Sequence, residues 1–424
     1  MIRRTLALAF VAAAACARGS DSGAAAPWRT VFDSTGDTIV AHTTGEVPNE
    51  QVRRLVIEQQ IGEKEGSDSV TFGRIAYVDV TADSRLFVFD EQGPSLKLFD
   101  STGKLVRFVG RKGGGPGEFE QVTGMGILPN GNLAIWDASH SRVNVYDAAG
   151  DFLQQWRVPM SGFFTSNGLF TARDSSIVLT LPLTVDGLGG ESGYVRFSST
   201  GAVRDSTRVP RWVDSTPQVL GQASNGQVRV SMALPFAPTN QNTWSSMGAL
   251  ISGPSAPYVF YITQASKRPV KILRDWTPVQ TLPQERAEAR ERTTWVVRMS
   301  IPDWKWPGGD IPSTKPAYQG LRTANDGRVW VYVHSLAERS EATESGPAMP
   351  GESPPPPRHY FEPNVVDVFE PSGFYLGRLS HSRSMNPLRM RGNHVWGVLT
   401  DSSGVAYVAR WRIEPAFPTA SAAR

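Results

Sequence analysis

The chain has 424 residues, 40% of them hydrophobic and 20% charged, with 40 glycines and 31 prolines. That composition fits a turn-rich all-β protein and excludes a disordered or membrane-spanning chain. The formal charge is +3, falling to +1 once Arg3 and Arg4 of the leader are subtracted; so weak a field excludes nucleic acid as the partner.

Residues 1–15 form the first element, in which Ile2-Arg3-Arg4 precedes a short apolar run ending in alanines, the pattern of a secretory signal peptide. The run is too short to span a bilayer. The chain's single cysteine, Cys16, follows Ala13-Ala14-Ala15 and permits no intrachain disulfide. This junction resembles the lipobox of bacterial lipoproteins, with Ala13 where leucine is usual. The resemblance implies lipidation at Cys16, and Ala17 after it implies an outer-membrane lipoprotein, periplasmic or surface-exposed. Ordinary cleavage at an A-x-A site, leaving a free thiol, is the alternative. Residues 16–27 then read as a flexible tether rich in Gly, Ser and Ala.

A repeat begins beyond the tether. Residues 83–109 and 130–156 match without gaps at a constant offset of 47: Leu86 with Leu133, Asp90 with Asp137, Phe99 with Tyr146, Gly103 with Gly150. Alternating apolar residues punctuated by turns make each copy a small antiparallel sheet, one blade of a β-propeller. An Asp/Asn-Gly/Ser turn before an apolar strand recurs at Asp83-Ser84, Asn130-Gly131, Asp174-Ser175, Asn225-Gly226, Asp326-Gly327 and Ser403-Gly404, which predicts six blades. A second turn, aromatic-Asp-x-x-Gly, marks the outer strands at Phe99 and Tyr146, and recurs at Phe197 and Phe369 with Ser198 and Glu370 in place of the Asp. A copy stands at the front as Phe32-Asp33-Ser34-Thr35-Gly36, so the N-terminal segment is expected to supply the outer strands of blade six; whether residues 52–57 belong to that blade is open. The expectation is an all-β, six-bladed propeller over 28–413, closed by an N-terminal segment, with a tail at 414–424.

Two insertions interrupt the rhythm. Residues 281–292 carry Thr281 and Gln284 at capping-box spacing, Pro283, and Glu288 four before Arg292, which predicts one short helix. Residues 345–358, with Pro354-Pro355-Pro356-Pro357, read as an extended surface loop.

Asp137-Ala-Ser-His-Ser-Arg142 and the preceding Gly110-Arg-Lys-Gly-Gly-Gly-Pro-Gly-Glu-Phe119 resemble the NHL-repeat and TolB-like six-bladed propellers of bacterial envelopes. In such families ligands bind where inter-blade connections meet the channel mouth. Mapped here, the resemblance implies a ligand surface of Arg111, Lys112, Glu118, Trp304, Lys305, Trp306, Lys315, His381, Arg383, Arg389 and Arg391. Read from the residues alone, the glycine run is a blade-to-blade turn or an anion nest, and the tryptophans stack on a sugar or cover apolar surface. The six histidines show no metal-ligand spacing. No catalytic residue is identified and no metal site is assigned. The expected function is a lipid-anchored, monomeric binding module for a peptide, glycan or protein ligand. The alternative is a metal-assisted lyase or hydrolase with calcium or zinc held at the channel.

Overall fold

The computed structural model describes residues 27–158, 168–183, 191–213, 216–223, 226, 228–341 and 354–418; Cys16, the leader and most of the tether lie outside them. Three four-stranded antiparallel meanders come first in the ring, running from Ile75–Val80 to Leu105–Val109, from Val122–Ile127 to Phe152–Arg157, and from Leu169–Thr171 to Val203–Arg208. Blade four holds Asn240–Trp244, Ala249–Pro254, Val259–Gln264 and Val270–Arg274, and blade five Tyr318–Thr323, Val329–Val333, Asn364–Phe369 and Tyr375–His381. Blade six comprises Met385–Arg391, His394–Thr400 and Ala406–Glu414, with Arg53–Ile61 as its outer strand. The fold is a six-bladed β-propeller.

Middle strands bury both faces, as in Leu86–Asp90 and Leu133–Asp137, because each sheet is packed between two neighbours. Six apolar clusters result, one per seam. Leu86 and Val88 pack with Trp396 and Val408 between blades one and six, for example, and Phe87 and Phe89 with Met125 and Ile135 between blades one and two.

Three features correct the sequence reading. The front hairpin, Arg29–Thr35 with Thr38–Thr44, extends blade four rather than blade six, its second strand pairing in parallel with Val270–Arg274. Arg268 fastens it by donating to the carbonyl of Gly36, and Ala41 is fully buried beside Gly373, where a Cβ would come within 2.8 Å of the alanine methyl. Gly373 also sits at φ +90° in its turn, so any side chain there meets both clash and backbone strain. Ring closure belongs to Arg53–Ile61.

The second correction concerns blade four, whose inner hairpin turns at Ser245–Gly248, not at Asn225-Gly226. Gly226 lies between the strands of a separate hairpin, Gln218–Gln222 with Arg229–Ala233, inserted between blades three and four. Third, Ser403-Gly404 joins the second and third strands of blade six, and the inner hairpin turns at Gly392-Asn393.

The predicted helix is present as Pro283–Ser300, longer than expected. Its first turn is capped by Glu285, which accepts the Leu282 N–H at 3.1 Å, while Thr281 accepts from Arg286 instead. Glu288 and Arg292 do not pair with each other; they bind His359 and the Pro356 carbonyl across the insertion. Val297, Ile301 and Trp304 pack on Val219 of the inserted hairpin, so the insertions share a satellite core of their own.

Candidate functional site

Six inner strands converge on the axis, and small residues make that approach possible. At Gly124 a Cβ would stand 2.5 Å from the Leu169 nitrogen. Hydroxyls join neighbouring strands: Thr171 donates to the Ile127 carbonyl at 2.8 Å and Thr323 to that of Trp244 at 2.9 Å. The channel they surround holds two cavities of about 250 and 290 Å³ that share Phe170, Thr323 and Arg389 in their walls.

The charge of this lining is one-sided. Arg173, Arg389 and Arg391 line the cavity on the side of the inner hairpin turns, and Arg322 and Arg389 the other. Asp79 is the one carboxylate among the described lining residues. It is buried and engaged: Oδ1 accepts the Val80 N–H, and Oδ2 accepts the Ile127 N–H at 3.0 Å and meets Arg389 Nε at 3.1 Å. Arg389 also donates to the Met125 carbonyl, so this pair ties blades one, two and six. Arg322 donates to the Pro387 carbonyl and lies over the Tyr332 ring, and Arg391 donates to the carbonyl of Thr81 and lies over the Trp396 ring. A guanidinium has five N–H donors, so neither is used up by that one bond. With Asp79 neutralised by Arg389, three positive charges remain in a low-dielectric enclosure that focuses their field.

Of the residues expected at a ligand surface, Arg389 and Arg391 reach the channel; the others do not gather there. Arg111 is exposed and paired with Glu118 at 2.6 Å, with Lys112 exposed beside it. The glycine run does bind an anion, its own: Glu118 accepts the Gly115 N–H at 2.7 Å. That bond, with Arg111, holds the carboxyl below the usual glutamate range. Arg142 clasps the same loop through the carbonyls of Gly114 and Glu118.

Trp304 is buried under the insertion, donating to the Leu220 carbonyl, and Trp306 lies edge-on to it with Arg290 over its ring. Lys315 is buried between Glu285 at 2.7 Å and Glu362 at 3.1 Å, fixing the helix to blade five. Arg383 stacks on Phe361 at 3.4 Å. His381 lines a separate cavity between blades five and six. The other five histidines each face a carboxylate: Asp275, Asp137, Glu362, Glu288 and Glu58 in chain order. No group of three His, Cys, Asp or Glu side chains arranged to hold a metal occurs among the described residues.

Sequence reasoning missed Asp79, Arg173 and Arg322. The available signal was a charge inside, or at the end of, an otherwise apolar inner strand.

A family model described as 6-bladed beta-propeller, DUF5128, matches residues 64–168. That stretch spans blades one and two. Among solved structures, the chain is similar to a member of the duf4221 family from Bacteroides vulgatus, at 10% identity and a TM-score of 0.49, covering 86% of this chain and 99% of that one. A candidate exported protein of Bacteroides fragilis gives 10% identity and 0.46, with 89% and 99% covered. A catalytically inactive virginiamycin B lyase from Staphylococcus aureus, with quinupristin, gives 9% and 0.39, with 84% and 98% covered. No curated protein matches the sequence.

Proposed function

We propose that this chain is an exported, lipid-anchored binding propeller whose central channel receives the anionic group of a peptide or glycan. The observation that carries this reading is the lining itself, in which four arginines face one carboxylate that is already neutralised. A metal-assisted reaction would call for several carboxylates or imidazoles around one point, and the described lining offers Asp79 alone. Binding is therefore the reading the geometry favours.

Citrate, a compact polycarboxylate, is the probe for a calorimetric titration at low salt. Arg391→Gln is expected to weaken citrate binding about tenfold or more, the size of one charge-assisted hydrogen bond. Raising the salt should weaken it further, since the Debye length falls to about 8 Å at 0.15 M. A protein that ignores citrate, or binds it equally well as Arg391→Gln, would sink the channel reading.

The anchor is tested separately. Acylated Cys16 would carry enough chain for stable membrane residence, which a single acyl group does not provide. Wild type is then expected in the membrane fraction with the added lipid mass, and Cys16→Ser in the soluble fraction with an unchanged Tm. A bare thiol in the intact mass of wild type removes the lipoprotein assignment while leaving the channel reading untouched.

A further inference from the structure

The two channel cavities differ in character. The one at the inner hairpin turns carries Arg173 and Arg391, with Ser246 and Asn325 beside them. The other, about 290 Å³, has an apolar wall of Ala76, Tyr77, Phe170 and Leu388 beside Arg322 and Arg389. Its described lining holds no Asp, Glu, Asn, Gln, Ser or His side chain, and of its two threonines Thr323 already donates to the Trp244 carbonyl.

That wall is open rather than sealed. Inner strands send most of their apolar side chains into the seams, where Val78, Leu169 and Met390 are buried. Ala76, Tyr77, Phe170 and Leu388 are only half-buried; each packs against a seam cluster and lines the cavity as well. Phe170 lines both cavities and so stands where the charged half of the channel meets the apolar one. Tyr194 backs it edge-on, with ring centroids 5.8 Å apart and planes at 73°, and the Tyr194 hydroxyl is itself held by donating to Asn242 at 2.7 Å.

Apolar walls with a few charged groups at one edge set both the class and the orientation of a ligand. A sugar presents hydroxyls on every side, and in this chamber they would lose water without finding acceptors, a cost incurred for each buried unsatisfied group. An aromatic side chain has no such need and gains by covering the open part of Phe170. The C-terminal residue of a peptide carries a side chain and a carboxylate on one carbon, which matches an apolar chamber and an arginine cluster meeting at Phe170.

We infer that the channel selects a peptide by a C-terminal aromatic residue, its ring against Phe170 and Leu388, its carboxylate toward Arg391, and the rest of the chain leaving on the side of the inner hairpin turns. The inference rests on the channel reading and narrows it from peptide or glycan to one of the two.

Calorimetric titration of the full-length protein at low salt tests it, with N-acetyl-phenylalanine, N-acetyl-alanine, N-acetyl-phenylalanine amide and glucuronate as probes and citrate measured alongside. N-acetyl-phenylalanine is expected to bind about tenfold or more tightly than N-acetyl-alanine, the effect of burying the ring. The amide, which lacks the charge, should bind about tenfold more weakly than the free acid, and glucuronate no better than N-acetyl-alanine. In Phe170→Ala the gap between the two acids should close to within about threefold; the wild-type series decides the matter even where that variant fails to fold. Equal affinity for the two acids, an amide as tight as the acid, glucuronate tighter than N-acetyl-phenylalanine, or an unchanged gap in folded Phe170→Ala would each overturn the peptide assignment while citrate binding upheld the channel reading. A protein silent toward citrate as well would lose both.

Discussion

Asp367→Asn is expected to destabilise the propeller by about 3–5 kcal/mol, the cost of removing one partner from a buried ion pair, although the substitution barely changes the side chain's volume. The carboxylate is fully buried at the seam of blades four and five. Arg378 binds it through two N–H groups at 2.8 and 3.1 Å, Arg274 Nε stands 3.2 Å away, and the hydroxyls of Tyr375 and Tyr258 donate to it. The amide that replaces it leaves two guanidiniums in a dry seam without an anion. Thermal unfolding should begin on the order of 10 °C lower. Asp275→Asn is the control. That aspartate pairs with His42 in the open, with side-chain exposures of 60% and 46%, and its loss should cost no more than about 1 kcal/mol. Equal melting of Asp367→Asn and wild type would mean that the cluster contributes nothing to the seam.

The same carboxylate gives the stability a pH dependence of known sign. Burial by itself would raise its pKa; Arg378 and Arg274 outweigh burial and hold it below the ordinary aspartate value. A depressed folded-state pKa stabilises fully above the unfolded value and is lost as pH falls through the folded one. The gap in stability between wild type and Asp367→Asn should therefore be complete at neutral pH and close as pH falls below the usual carboxylate range.

How much of this could be read beforehand differs from element to element. Blades one and two were legible because Leu86 to Gly103 and Leu133 to Gly150 repeat without gaps. Beyond them the sequence signal lies in turns, and turns do not number the strands. One hydrogen-bond pattern joins inner strands at Thr81–Arg85, outer strands at Asp100–Lys104 and middle strands at Asp401–Val405, each closed by a residue with positive φ. Ser403-Gly404 accordingly lies one strand further out than its sequence suggests. Likewise nothing in Val31 to Val40 says which open sheet edge the hairpin will cover; that is settled by contacts remote in sequence, such as Ala41 against Gly373 and Arg268 on Gly36.

The site was harder still. Lys315 and Arg111 are cations in long loops, yet Lys315 is buried between Glu285 and Glu362 and Arg111 is paired at the surface with Glu118. Arg322 and Asp79, on short inner strands, become neighbours in a channel only when six blades close around one axis.

Closure supplies the second large effect. Three starting points can be compared: residue 27, residue 46 without the front hairpin, and residue 63 without the closing strand. The form starting at 46 loses the parallel pairing of Thr38–Thr44 with blade four but keeps all six blades, and it is expected to remain a folded monomer with a lowered Tm. The form starting at 63 loses Arg53–Ile61, which meets Ala406–Glu414 at seven register positions and buries Leu55 and Ile61. At about 1 kcal/mol per hydrogen bond and about 1.5–3 kcal/mol per buried side chain, the loss approaches 10 kcal/mol, as large as the whole stability of an ordinary domain, about 5–15 kcal/mol. It also bares the long edge of Ala406–Glu414 to other chains. That form is expected to aggregate or to lack a cooperative melt in calorimetry and size-exclusion chromatography. If it were instead monomeric and melted like the form starting at 46, the ring would be closed by something other than this strand.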